Sequence, residues 1–112
     1  MQSKAPADFN ERLVESIDET ITALLSKSVL DSIYLHLERY LSISKDELPY
    51  RLDTFFSILE KTFGRSERTI GKAIARRFYS KLRLEFDETA NHNLRDYVEE
   101  ARRKLPTSPP NS

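Results

Sequence analysis

Residues 66–82 read SERTIGKAIARRFYSKL, and the spacing of their apolar side chains predicts an amphipathic helix. The predicted inward positions are Ile70, Ala73, Ile74, Phe78 and Leu82. Ser66 is a candidate N-cap, because a serine side chain can accept a hydrogen bond from a backbone N–H group of the first turn. Gly71 costs about 1 kcal/mol relative to alanine inside a helix, and its presence favours the close approach of another helix.

The same region carries a concentrated positive charge. Seven of the eighteen basic residues fall between Arg65 and Arg83 with a single acid, Glu67, although the net charge of the whole chain is zero. At about 100° per residue, a basic stripe projects opposite the apolar face. The candidate partner-binding residues on this stripe are Arg65, Arg68, Lys72, Arg76, Tyr79 and Arg83. Arg77 and Lys81 project near the apolar sector instead, and we expect their charged ends to reach an acid on another helix.

Two further helices are predicted before this region. The first begins at Asp8 or Asn10 and has an acidic outer side. Its predicted inward residues are Leu13, Val14, Ile17, Ile21, Leu24 and Leu25. The second is predicted to be capped by Ser28 and to end near Ser42.

Residues 44–64 are predicted to contain a connector and a short aromatic helix. Residues 44–47 have capping-box spacing, but Pro49 disfavours helical geometry at the residue before it, so we expect at most about one turn there. Asp53 is the predicted cap of the aromatic helix, and Gly64 is the predicted left-handed residue that closes it. The aromatic residues expected in the core are Tyr34, Tyr40, Phe55, Phe56, Phe63 and Phe78.

A fifth helix completes the predicted fold, capped within Asn91–Asn93 and ended by Pro106. The sequence therefore predicts an all-α protein, a compact bundle of four main helices plus a fifth, C-terminal helix. We expect one domain over residues 9–105, with a flexible N-terminus over 1–8 and a disordered, proline- and serine-rich tail over 106–112.

Several functional classes find no support in the sequence. No apolar run approaches the roughly 20 residues of a membrane span, so we expect no membrane association. The chain has no cysteine, no glycine-rich phosphate loop and no histidine pair with metal-ligand spacing. His36 and His92 are better explained as boundary or capping residues than as catalysts. We therefore expect no cofactor, metal or catalytic residue, a non-enzymatic role and a cytoplasmic location.

The basic stripe leaves three interpretations open. Its bases can be solvated or paired with acids of the same chain, they can bind an acidic protein partner or a second copy, or they can contact DNA or RNA phosphates. The remainder of the chain is acidic and the isoelectric point is about 6.7, which disfavours nucleic acid. A protein partner or a homodimer is the leading functional expectation, with nucleic acid as the alternative.

Five segments of the chain match a known pattern. They are SIYLHL at 32–37, ISKDELP at 43–49, FFSILEKTFG at 55–64, IARRFYSKL at 74–82 and NLRDYVEEAR at 93–102. In these segments the chain resembles a small all-helical archaeal family, the Nitrosopumilus output domain type, over most of residues 12–104. The resemblance implies a compact helical module that contributes interactions in regulation within an archaeal cell. It supplies no established active-site residues.

Overall fold

The computed structural model describes residues 5–105 and contains five α-helices and one 3₁₀ helix within that range. The α-helices are α1 (Ala5–Leu24), α2 (Lys27–Leu41), α3 (Leu52–Phe63), α4 (Ser66–Leu82) and α5 (Leu94–Lys104), and the 3₁₀ helix covers Lys45–Tyr50. The predicted all-α fold of four main helices plus a fifth is confirmed. The predicted tail over residues 106–112 lies outside the described residues, as do the first four residues of the predicted flexible N-terminus.

The helix α4 lies at the centre of the bundle and contacts α1, α3 and α5. Its residues Ile70, Ile74 and Phe78 are buried as predicted, whereas Ala73 and Leu82 are only half-buried. A second face of α4 is also buried, because α5 covers it. A Cβ atom built on Gly71 would lie 3.6 Å from the Cβ of Leu94, so the predicted close approach of another helix is confirmed.

The helix α1 packs between α2 and α4. Its residues Leu13, Ile17 and Ile21 are fully buried, as the periodicity predicted. Leu24 and Leu25, which we expected to face inward, are 52% and 38% exposed. The structure begins α1 at Ala5, so residues 5–8, predicted to be flexible, are helical. Pro6 fits this start because N–H groups in the first turn have no partner inside the helix.

The cap of α2 differs from the prediction. Ser26, not Ser28, precedes the helix, and its hydroxyl accepts a hydrogen bond from the Val29 N–H at 3.1 Å. The α1–α2 turn is short, so α2 begins before Ser28 and places that residue inside its first turn. The predicted end is confirmed, since Ser42 adopts the left-handed conformation that closes the helix.

The predicted caps of α3 and α4 are also wrong. Arg51 precedes α3, and Asp53 lies in the first turn, where its carboxylate pairs with Arg95 of α5 at 3.1 Å. Arg65 precedes α4 with nearly helical dihedrals, so Ser66 is already inside the helix and caps nothing. Gly64 ends α3 as predicted and has a φ of 60°, which favours glycine, but its ψ of −130° lies outside the left-handed helical conformation that we expected.

The remaining two helix starts follow the predicted capping chemistry. Asn93 precedes α5, and its side chain accepts from the Asp96 N–H at 2.8 Å while the Asp96 carboxylate accepts from the Asn93 N–H. Ser44 and Glu47 form the predicted capping box. The segment that follows is a 3₁₀ helix of six residues, longer than the single turn that we expected. Pro49 is accommodated near its end.

The outer side of α2 carries exposed apolar side chains, among them Leu35 and Tyr40. Tyr40, expected in the core, is 70% exposed and stacks on His36 with ring centroids 5.0 Å apart. The other expected core aromatic residues are buried or half-buried. Over residues 5–105, no helix combines the length and the apolar character that crossing a membrane requires.

Candidate functional site

The candidate partner-binding residues are spread over the whole length of α4. Arg65 lies just before the first residue of α4 and Arg83 just after its last, so roughly 25 Å of helix axis separates them. Arg68, Lys72 and Arg76 follow on successive turns between these ends. The bases are exposed apart from Lys72, which is half-buried. Arg83 lies about 10 Å along the axis from Arg76, at the opposite end of α4 from Arg65.

Tyr79 does not belong to the exposed stripe, and this part of the prediction is wrong. It is 1% exposed, and its hydroxyl donates to the backbone carbonyl of Tyr97 at 2.6 Å. Its ring also contacts Tyr97 and Phe86 edge-on. Burial raises the pKa of Tyr79 to about 12, consistent with a structural phenol. A sequence signal was present but missed: Gly71, Ala75 and Tyr79 lie four residues apart and form the second buried face of α4.

Arg76 is held by the loop that connects α4 to α5. Its Nε and Nη2 atoms donate to the two carboxylate oxygens of Glu88, each at 3.0 Å. The hydrogen bond from Arg76 lowers the pKa of Glu88. Lys72 Nζ donates to the backbone carbonyl of Glu88 at 2.5 Å, and Phe86 lies under the Arg76 guanidinium, 5.7 Å from it. Glu88 thus pairs with Arg76 through its carboxylate and with Lys72 through its backbone carbonyl, from within the same molecule.

The N-terminal half of the stripe has no carboxylate partner among the described side chains. Arg68 donates to the amide oxygen of Asn91 at 3.2 Å, and Arg65 makes no side-chain hydrogen bond or ion pair with described residues. Both arginines line an open cleft of about 590 Å³ between α3, α4 and the start of α5. Phe56 and Leu94 form part of its apolar wall. Two acids, Glu60 and Glu67, line the same cleft.

Arg77 and Lys81 have the structural role that we predicted. Arg77 pairs with Glu19 of α1 at 3.3 Å, and Lys81 pairs with Glu19 at 3.2 Å and with Glu15 at 3.6 Å. The hydrogen bond from Lys81, supplemented by one from Arg77, lowers the pKa of Glu19. The expectation that these two bases reach an acid on another helix is confirmed.

A cluster that the sequence did not reveal joins α1, α2 and the 3₁₀ helix. The Tyr34 hydroxyl donates to the carboxylate of Asp18, which also pairs with Lys45 at 2.8 Å. The Lys45 ammonium lies 5.2 Å from the centre of the Tyr34 ring. Burial, together with the hydrogen bond to Asp18, raises the pKa of Tyr34 well above its usual range. A phenol held neutral in this way suits a structural link better than a proton-accepting role.

His92 lies on the C-terminal side of the α4–α5 loop. Its Nε2 atom is 3.5 Å from a carboxylate oxygen of Glu100, and its ring contacts Tyr97 edge-on. These contacts attach the loop to α5. Among the described residues, no group of three histidine, aspartate or glutamate side chains is arranged to hold a metal ion.

Comparison with protein-family models, curated proteins and solved structures gives no match for this chain. The resemblance to the archaeal output domain stays a prediction. The functional interpretation therefore depends on the contacts and charges of the chain itself.

Proposed function

We propose that the chain is a non-enzymatic interaction module that binds an acidic surface of a protein partner through the N-terminal half of α4. One observation carries the proposal: Arg65 and Arg68 line an open cleft, Lys72 follows them one turn further along α4, and none of the three forms an ion pair with a described carboxylate. The proposal includes a cytoplasmic location and the archaeal regulatory setting that the family resemblance implies.

The electrostatics of this region support an acidic partner. Arg65, Arg68 and Lys72 span seven residues, or about 10 Å along the helix. The hydrogen-bond partners of Arg68 and Lys72, the Asn91 amide and the Glu88 backbone carbonyl, are neutral, although the Glu88 carboxylate that pairs with Arg76 also attracts Lys72. The positive end of the α4 macrodipole adds to the same potential. Carboxylates of a partner would form charge-assisted hydrogen bonds here, which are about twice as strong as neutral ones.

The surroundings favour a protein partner over nucleic acid. A polyanionic backbone laid along the stripe would meet Glu60 and Glu67 at the cleft and Glu88 on Arg76. Moreover, α4 packs against three other helices, so only a narrow strip of it is exposed. A recognition helix of the helix-turn-helix type instead inserts an exposed face into the major groove. A protein surface can match such alternating charges by presenting both acids and bases.

The test is affinity capture with immobilised protein from an extract of the source cells. The variant Arg65→Glu, Arg68→Glu, Lys72→Glu should lose the proteins that the wild type retains. A matched control, Arg12→Glu, Arg39→Glu, Arg51→Glu, makes the same charge change at exposed arginines elsewhere and should retain them. If both variants retain the captured proteins, or if both lose them, then the N-terminal half of α4 is not the surface that binds the partner.

A parallel titration addresses the nucleic-acid alternative. Fluorescence anisotropy of a mixed-sequence duplex DNA is measured at about 50 mM and about 200 mM salt. We expect no binding at either concentration. Micromolar binding that falls steeply with salt, and that is lost in the variant Arg65→Glu, Arg68→Glu, Lys72→Glu but not in the matched control, would favour the nucleic-acid interpretation instead.

A further inference from the structure

A second surface lies beside the basic stripe, in the groove between the C-terminal half of α1 and the middle of α4. This α1–α4 groove has a volume of about 440 Å³. Arg76 and Arg77 line it, and no carboxylate does. Ala23 and Ala73 provide small side chains, and Leu24 of α1 is 52% exposed beside them. The groove is therefore shaped for an apolar side chain that has acids on either side.

The two arginines can accept further carboxylates. Arg76 is 50% exposed and Arg77 is 44% exposed, although each pairs with an acid of its own chain. Exposed ion pairs contribute only about 0–1 kcal/mol each, so exchanging or sharing them costs little. A guanidinium also has five N–H donors, more than one carboxylate uses.

The exposed side of α2 carries the complementary pattern. Asp31, Leu35 and Glu38 lie at positions i, i+4 and i+7, which places them on one face of a helix. The Asp31 side chain is 63% exposed, Leu35 is 48% exposed, and Glu38 is exposed. This acid–leucine stripe has an apolar side chain between two carboxylates that are about 10 Å apart along the axis.

We propose that the occupant of the α1–α4 groove is a second copy of this chain, docked through its acid–leucine stripe. Leu35 of one copy contacts Leu24 and the two alanines, while its acids reach Arg76 and Arg77. The α2 helix packs directly on α1, which forms one wall of the groove, so a two-fold dimer lets each copy contribute both surfaces. The inference rests on the proposed binding of protein by the basic face of α4, but it uses different bases.

The proposed dimer is tested by reversing the charge of each surface in turn and measuring the mass by sedimentation velocity. The groove variant is Arg76→Glu, Arg77→Glu, and the stripe variant is Asp31→Arg, Glu38→Arg. Wild-type protein should approach twice its 13.1 kDa mass between about 10 µM and about 500 µM. Each variant alone should dissociate at least tenfold more readily, because both of its contacts then join like charges. An equimolar mixture should form a heterodimer of near wild-type affinity, since both contacts are again between opposite charges.

Leu35→Glu provides a check that leaves every ion pair intact. It should abolish dimerisation without changing helicity, because Leu35 is exposed in the monomer. A wild type that stays monomeric over the whole range would overturn the inference, as would variants that dimerise normally or fail to restore each other. All these variants keep Arg65, Arg68 and Lys72. Loss of dimerisation with retained partner capture therefore tests this inference separately from the proposed function.

Discussion

Replacing Tyr34 by phenylalanine should destabilise the fold through one hydrogen bond. The substitution removes the hydroxyl that donates to Asp18 and leaves the half-buried ring in place. It keeps the Lys45 ammonium over an aromatic face and the ion pair between Lys45 and Asp18. The change therefore isolates the link between α2 and α1.

The expected loss is about 1.5 kcal/mol of unfolding free energy. A hydrogen bond to a charged group contributes about 1.5–3 kcal/mol. The lower end applies here because the Asp18 side chain is 26% exposed and still has Lys45 as a partner, so water and the ammonium satisfy its oxygens. For a domain of about 100 residues, such a loss lowers the melting temperature by roughly 6–12 °C.

Urea unfolding followed by circular dichroism measures this loss, with Tyr40→Phe as the matched control. Tyr40 is 70% exposed on the same helix, and its hydroxyl makes no hydrogen bond to a described residue. The control should change stability by less than about 0.5 kcal/mol. If Tyr34→Phe is no more destabilising than the control, the Tyr34 hydroxyl contributes no net stability. The cluster would then be only a surface contact.

Three further outcomes follow from single positions. Gly71→Ala should stabilise the protein by up to about 1 kcal/mol in urea unfolding, because the added Cβ meets Leu94 at an ordinary 3.6 Å, whereas a larger side chain should destabilise it. Ser26→Ala should cost about 1 kcal/mol by thermal unfolding, and Ser28→Ala less than about 0.5 kcal/mol, because only Ser26 caps α2. Stability should fall as the pH rises from about 10 to about 12, because the pKa of Tyr79 is raised to about 12 in the folded state and the unfolded phenol loses its proton first. Tyr79→Phe should reduce this alkaline slope in a pH series of unfolding curves, and the raised pKa of Tyr34 should leave part of it in place.

The helices could be located from sequence because their apolar periodicity reflects the backbone itself. Ile70, Ile74 and Phe78 are buried because any helix places such positions on one face. Helix starts were less predictable. Ser66 and Asp53 have the chemistry of caps, but the preceding turns end earlier than the capping patterns suggested. The residue at the N-cap is set by the connection and not by its own propensity.

The sequence predicted which bases lie on α4, but it did not predict all of the contacts that they make. The partners of Arg77 and Lys81 could be expected, because acids on a neighbouring helix are visible as a stripe in the sequence. The pairing of Glu88 with Arg76 could not be predicted, because Glu88 lies in an irregular loop whose position is set by the packing of Phe86 on the aromatic core. The burial of Tyr79 depends on where α5 packs; the spacing of Gly71, Ala75 and Tyr79 indicates a second face of α4 but does not name the helix that covers it.

The positions of the carboxylates explain how a chain of zero net charge presents a basic surface. Of the seven bases from Arg65 to Arg83, three contact carboxylates within the described part of the chain: Arg76, Arg77 and Lys81. All three lie in the C-terminal half of α4, where α1 and the α4–α5 loop supply the acids. In the first two turns of α4, Arg68 donates to an amide oxygen and Lys72 donates to a backbone carbonyl. Both acceptors are neutral groups. Arg65, Arg68 and Lys72, which form no ion pair with a described carboxylate, are therefore the bases at which we propose that a partner carboxylate binds.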